Sequence, residues 1–212
     1  MLVKKLFLGT TRFLQVAAFP ILYTWGSLTW SWPLGWALAM TLALALMHPL
    51  KQVAWGCGLG LVFGVLACIG QWRLLPLVIA QVGLAYLLST QALKPRWQAT
   101  LWFIQVYFNQ TLLLVVLMHV LTPMSLLVLA LLSLPFILAM WSDQLPIWGV
   151  LAALLAVIAA GYWTQQLTLI AAGCLLVIPC LISPRVTPMR PIIYDWASII
   201  MIVIFNLTRL HG

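Results

Sequence analysis

Acidic side chains are almost missing from this sequence, since its 212 residues include two Asp or Glu against ten Lys or Arg. Only 6% of the residues are charged, whereas a soluble domain carries about 25%. The chain therefore has too few charges to cover a surface in contact with water. The same scarcity excludes the magnesium and diphosphate sites that enzymes build from clustered carboxylates.

Metal-ligand and nucleophile motifs are missing as well. The four cysteines form no CxxC pair and lie singly in apolar stretches, where cysteine behaves as a small hydrophobe. His48 and His119 are predicted at opposite ends of their helices and His211 in the tail, so no two could ligate one haem. The sequence predicts no cofactor and no metal, and no catalytic residue stands out.

What the chain does contain is apolar, with 65% hydrophobic residues and a mean hydropathy of +1.15. Uncharged stretches cover 13–50, 97–142 and 144–184, and each exceeds the roughly 20 residues that cross a bilayer. A backbone in hydrocarbon must satisfy its own hydrogen bonds, so these stretches should be helical. The prediction is an all-α, polytopic transmembrane helical bundle, with 1–212 as a single integral membrane domain.

Prolines, charges and aromatic clusters divide the chain into about nine predicted helices. Their ranges are 13–31, 33–50, 52–71, 74–92, 99–121, 124–141, 145–162, 166–183 and 191–208. With a cytoplasmic N-terminus, nine crossings place eight of the ten cations inside and leave Arg73 and Arg209 outside. This bias predicts a multi-pass protein of the inner (plasma) membrane, with the N-terminus cytoplasmic and the C-terminus external.

The cations are scattered singly or in pairs between apolar segments, which is typical of topology signals and not of a phosphate-binding face. Nucleic acid is therefore not an expected partner. The expected partners are the lipid bilayer and either other membrane subunits or further copies of the chain.

Proline spacing suggests an internal repeat. Pro20 and Pro135 are separated by the same interval as Pro76 and Pro191, and Pro33 and Pro146 by nearly the same interval. These pairs would align helices 1–4 with helices 6–9 in opposite orientations, as in the inverted repeats of secondary transporters.

Small residues predict close helix packing in the third helix, where Gly56, Gly60 and Gly64 form a ridge. Ala152, Ala156 and Ala160 have the same spacing in the seventh helix. The pattern does not distinguish packing within the chain from packing against a partner subunit.

The fifth helix carries the clearest candidate site, a polar face of residues four, three and four positions apart. This face and the residues of the fourth helix that could complete it are Gln98, Trp102, Gln105, Asn109, Gln81, Tyr86 and Ser89. The functional interpretation is a substrate path lined with neutral donors and acceptors. The structural interpretation is hydrogen bonding between helices, and the two remain open.

Asp195 is the single acid inside a predicted membrane segment. It is predicted to pair with Arg185 or Arg190, although a carboxylate at this depth could also relay protons.

These features favour a small permease or flippase for a neutral or anionic molecule, including amphipathic ones. The alternative is a non-catalytic structural subunit of a larger membrane complex. A weaker alternative is a lipid-modifying membrane enzyme that uses Asp195.

Overall fold

The computed structural model describes residues 2–186 and 188–210, and within them the chain forms nine α-helices and no strand. The all-α prediction is confirmed. The helices are α1 (Leu2–Tyr23), α2 (Trp32–Leu50), α3 (Val53–Ala67), α4 (Leu75–Thr90), α5 (Pro95–Met118), α6 (Pro123–Met140), α7 (Ile147–Trp163), α8 (Leu169–Ile182) and α9 (Pro191–Leu210). Two 3-10 turns, Trp25–Ser27 and Trp72–Leu74, precede α2 and α4.

In the described part of the chain, six helices are long and apolar enough to cross a membrane, namely those at α1, α2, α4, α5, α6 and α9. The span at α4 includes the preceding 3-10 turn and runs over the 19 residues Trp72–Thr90. The other three helices are apolar but shorter, with 15 residues in α3, 17 in α7 and 14 in α8. At 1.5 Å per residue, α8 is about 21 Å long, which is less than a hydrocarbon core of about 30 Å. The helices indicate a multi-pass membrane protein, and the number of crossings stays a prediction.

The first helix differs most from its predicted range of 13–31. It begins at Leu2 and ends at Tyr23, so the prediction was wrong at both ends. The prediction treated Lys4, Lys5 and Arg12 as marking the membrane surface, but no proline interrupts the chain there and the helix continues through them. Arg12 consequently lies inside α1, where it is 6% exposed.

Local capping explains where several helices begin. The hydroxyl oxygens of Ser31, Thr122 and Thr168 accept hydrogen bonds from backbone N–H groups in the first turns of α2, α6 and α8. These bonds satisfy N–H groups that have no partner within the helix. Proline stands at the first or second position of α2, α4, α5 and α6, where its missing N–H costs nothing.

The chain divides into two compact units, Met1–Leu121 and Thr122–Gly212. In the first unit α2 is central and contacts α1, α3, α4 and α5. The apolar core of the first unit comprises Met40, Leu44, Met47, Cys68, Val78, Val82, Ala85 and Leu112. Hydrophobic side chains from α2 and α4 thus meet one residue of α5 at the centre of this unit.

The glycine ridge of α3 packs against this core. A Cβ added at Gly56 would lie 2.4 Å from Met47 Cγ, and one at Gly60 would lie 2.8 Å from Leu44 Cδ2. At Gly64 it would lie 2.3 Å from Cγ1 of Val78. A side chain at any of these positions would force its neighbours to shift, so the glycines permit α3 to approach α2 and α4 of the same chain.

In the second unit α6 contacts α7, α8 and α9, and α8 contacts α7 and α9. Large buried side chains of this unit include Leu129, Phe136, Tyr194 and Phe205. The Tyr194 hydroxyl donates a hydrogen bond of 2.8 Å to the Ile182 carbonyl oxygen, which ties α9 to the last residue of α8.

Candidate functional site

The predicted polar face of α5 is buried in the first unit. Trp102 is 4% exposed, and Gln105 and Asn109 are each 1% exposed, while Gln98 is half-buried. The face lies in a packed seam, because α5 contacts α1, α2 and α4. A small cavity in this seam is described below.

Helix α1 contributes two polar residues to this seam that sequence reasoning missed, Arg12 and Gln15. The Trp102 indole Nε1 donates a 2.8 Å hydrogen bond to Gln15 Oε1, and Gln110 Nε2 donates a 2.9 Å bond to the Gln15 carbonyl oxygen. The guanidinium carbon of Arg12 lies 4.5 Å from the centroid of the Trp102 ring, in cation–π contact. The separation of Arg12 from Gln15, about one helical turn, was the sequence signal that could have revealed them.

His48 joins α2 to the same group. Arg12 Nη1 donates to His48 Nδ1 at 3.3 Å, and the Gln98 carboxamide contacts His48 Nε2. A guanidinium only donates, so Nδ1 must be unprotonated and the ring neutral. The remaining proton then lies on Nε2. Because the Gln98 amide nitrogen stands against Nε2 and cannot accept this proton, we expect the carboxamide to be turned so that its oxygen accepts it.

A cavity of about 10 Å³ lies among these residues and is lined by side chains of α1, α2, α4 and α5. Its polar lining consists of Arg12, His48, Ser89, Gln98, Trp102 and Gln105. This volume is close to the minimum that holds one water molecule. The cavity is therefore too small for any larger ligand in this conformation.

Several buried polar atoms of α4 and α5 have no hydrogen-bond partner among the described residues. They are both amide atoms of Gln81, the Ser89 hydroxyl oxygen, Gln105 Nε2 and Asn109 Oδ1. Each such atom costs about 1–3 kcal/mol. Unsatisfied polar groups at this density call for a ligand, a water molecule or a second conformation that satisfies them.

A second cavity, of about 270 Å³, lies at the other end of the first unit. The residues that line it come from the start of α2 and the ends of α3 and α5, and they include Gln71 and His119. These two side chains are joined by a 2.7 Å hydrogen bond from Gln71 Nε2 to His119 Nδ1. His119 ends α5 with a φ of 57°, a left-handed conformation that stops the helix.

The remaining predicted site residues are not part of this seam. Tyr86 is 51% exposed on α4.

In the second unit, Asp195 is 2% exposed, while Arg185 and Arg190 are exposed. Arg185 donates from Nε to the Ser142 carbonyl oxygen at 2.7 Å and from Nη2 to that of Leu145. Arg185 thus hydrogen-bonds to the α6–α7 loop and not to Asp195. The His211 tail position lies outside the described residues.

Comparison with protein-family models, curated proteins and solved structures finds no match for this chain.

Proposed function

We propose that the chain is a small permease or flippase of the inner membrane, and that its substrate is a neutral or anionic molecule, including amphipathic ones. The substrate path would follow the polar face of α5 through the first unit. The observation that carries this proposal is the set of buried, unpartnered polar atoms on Gln81, Gln105 and Asn109. Burying such groups without partners costs stability, so contact with a substrate would explain why they are buried here.

The charge of the first unit favours neutral or anionic substrates over cations. Its sequence contains no Asp or Glu between residues 1 and 121. Most of the polar groups along the seam can donate hydrogen bonds, namely guanidinium, indole, hydroxyl and carboxamide groups. A cation would find no carboxylate along this path, whereas an anion or a polar neutral group would find donors.

The two cavities of the first unit support a path between opposite ends of the helices. The small cavity lies where α2 and α4 end and α5 begins, and the larger one lies where α3 and α5 end and α2 begins. The apolar core and tight packing close the space between them. A substrate could therefore pass only after these helices separate, as in alternating access.

The inverted repeat belongs to this proposal. Pro20 lies in the last turn of α1, and Pro135 lies in the last two turns of α6. Pro33 is the second residue of α2, and Pro146 is the N-cap of α7. Pro76 and Pro191 likewise stand at the starts of α4 and α9. In each pair the two prolines lie near the same end of their helices, which is in keeping with helices 1–4 and 6–9 as related halves.

Reconstitution into liposomes tests the transport proposal. Flux of a panel of neutral and anionic solutes, together with flipping of fluorescent lipids, would be measured for the native chain and for Gln105→Leu and Asn109→Leu. We expect both variants to lose at least ~90% of the flux, because their side chains lie along the path. Gln110→Leu is the matched control, since its amide already donates to Gln15, and its flux per folded protein should change less than twofold.

No flux above that of empty liposomes for any solute or lipid would contradict the proposal. So would equal flux from the native chain and from both path variants.

A second function, as a non-catalytic subunit of a membrane complex, is favoured by one observation. Ala152, Ala156 and Ala160 are all exposed along α7, and small residues at this spacing permit close approach of another helix. Native mass spectrometry after mild solubilisation tests this function. Constant co-purification with other chains, lost in Ala156→Trp, would support it, and a monomer that transports solutes would exclude it.

A further inference from the structure

The second unit contains an apolar groove of about 240 Å³ between α6, α7 and α8. Most of its lining is hydrophobic, with Ala139 from α6, Val150, Leu151 and Leu154 from α7, and Pro179 from α8. The groove lies where α6 and α8 end and α7 begins. An apolar groove at a helix end, within a membrane protein, has the chemistry of an acyl-chain site.

Arg185 stands at this groove with its guanidinium held in place. It lines the groove together with Ser142 and Ser183, and it donates hydrogen bonds to the carbonyl oxygens of Ser142 and Leu145. A guanidinium has five N–H donors, so these two bonds leave three for a ligand. The exposed side chain is thus a fixed cation beside an apolar groove.

We propose that this groove binds an anionic phospholipid, with one acyl chain between α7 and α8 and the phosphate on Arg185. Planar guanidinium groups bind phosphate oxygens in pairs, and basic pockets between membrane helices recognise anionic headgroups. Arg190, in the same α8–α9 connection, adds positive charge without lining the groove. The site is independent of the substrate path proposed for the first unit.

Asp143 provides a charge test of the same site. It lies in the α6–α7 loop between the two residues whose carbonyl groups hold Arg185. Asp143→Asn removes a negative charge from this loop and should therefore bind the anionic lipid more tightly, by about twofold to threefold.

The experiment titrates the full chain, purified in a neutral detergent, with phosphatidylglycerol or with phosphatidylcholine of the same acyl chains. Native mass spectrometry counts bound lipid, and thermal unfolding measures stabilisation. We expect phosphatidylglycerol to bind at least fivefold more tightly. Arg185→Gln should remove this preference, and Arg190→Gln, the control from the same loop, should weaken it less than twofold.

A second pair of variants tests the apolar part without altering the cation. Leu151→Trp fills the groove and should abolish binding of either lipid, whereas Ala152→Trp, exposed outside the groove on the same helix, should not. Arg185→Lys preserves the charge if Arg185→Gln fails to fold, and should keep part of the preference.

Equal binding of the two lipids would overturn the proposal, and so would equal losses in the two arginine variants. Full competition by inorganic phosphate would also overturn it, because the site would then hold a free anion and not a lipid.

Discussion

Trp102 contacts two residues of α1, one through its indole nitrogen and the other through the face of its ring. The nitrogen donates to Gln15 and the ring faces Arg12. This arrangement places a cation in the interior of a membrane protein at reduced cost, because the ring quadrupole attracts it. Trp102 is thus a structural member of the polar face as well as part of the proposed path.

Trp102→Phe separates these two contacts, because it removes the N–H donor and keeps an aromatic face for Arg12. We expect the free energy of unfolding to fall by about 2–4 kcal/mol, because the buried Gln15 carboxamide loses this donor and the smaller ring leaves a cavity. Unfolding in mixed detergent micelles would measure it. Trp55→Phe, at an exposed position, is the control and should change it by less than ~0.5 kcal/mol. An equal loss in both variants would show that the hydrogen bond contributes nothing specific.

Gln105 and Gln110 should respond in opposite ways to the same substitution. Gln105 Nε2 is buried without a partner, so Gln105→Leu should leave the unfolding free energy unchanged or raise it by about 1–2 kcal/mol. Gln110 donates to the Gln15 carbonyl oxygen, and Gln110→Leu should lower the free energy by about 1 kcal/mol. The same micelle assay compares them. A large destabilisation by Gln105→Leu would mean that this amide has a structural role.

At the scale of single helices, α3 shows how close packing replaces the hydrophobic drive that lipid removes. Its glycines face the bulky side chains of α2 and α4, so the backbone itself forms the contact surface. The spacing of three glycines predicted such a surface. It could not show which helices would fill it, because that depends on contacts distant in sequence.

Gly64→Ala tests this surface. The added Cβ would lie 2.3 Å from Cγ1 of Val78, and a β-branched side chain has little freedom to move aside. We expect a loss of about 1–3 kcal/mol in unfolding free energy, typical of overpacking. Gly58→Ala is the control within α3, because nothing lies within 4 Å of its added Cβ. It should be neutral or raise the free energy by up to ~1 kcal/mol, and a loss comparable to that of Gly64→Ala would contradict the packing argument.

At the scale of the whole molecule, the number of crossings decides the orientation of every helix. Nine crossings place the two ends of the chain on opposite sides, whereas the six candidate membrane spans alone would return both ends to one side. The distribution of cations favours nine, because seven of them would then face the cytoplasm against Arg73 and Arg209 outside, with Arg12 buried in α1. That residues 1–212 form one integral membrane domain stays a prediction. The structure itself divides the chain into two compact units.

Reporter fusions test this topology. Alkaline phosphatase, active outside, and green fluorescent protein, fluorescent inside, would be fused after Arg73, after Lys94 and at the C-terminus. We expect phosphatase activity after Arg73 and at the C-terminus, and fluorescence after Lys94, because the short basic loops stay inside. Fluorescence at the C-terminus would exclude nine crossings and with them the inverted repeat.

The sequence by itself determined the class of this protein and the places where most helices begin. The composition provides too few charges for a soluble domain. In lipid, the backbone N–H and C=O groups must then hydrogen-bond to one another, so the long uncharged segments form helices. Prolines and N-cap hydroxyls act within a single turn, so α2 and α6 begin within one residue of their predicted starts. The predicted start of α1 was wrong because cations do not stop a helix.

Only the tertiary structure decided which polar residues meet. Arg12 and His48 are 36 positions apart, and Gln98 and His48 are 50 apart, so no pattern within one helix could pair them. Helices in lipid associate through complementary shape and a few hydrogen bonds. The hydrophobic effect does not drive their association, so the pattern of apolar residues does not show which faces meet. The seam of the first unit and the groove beside Arg185 both result from this packing of helices against one another.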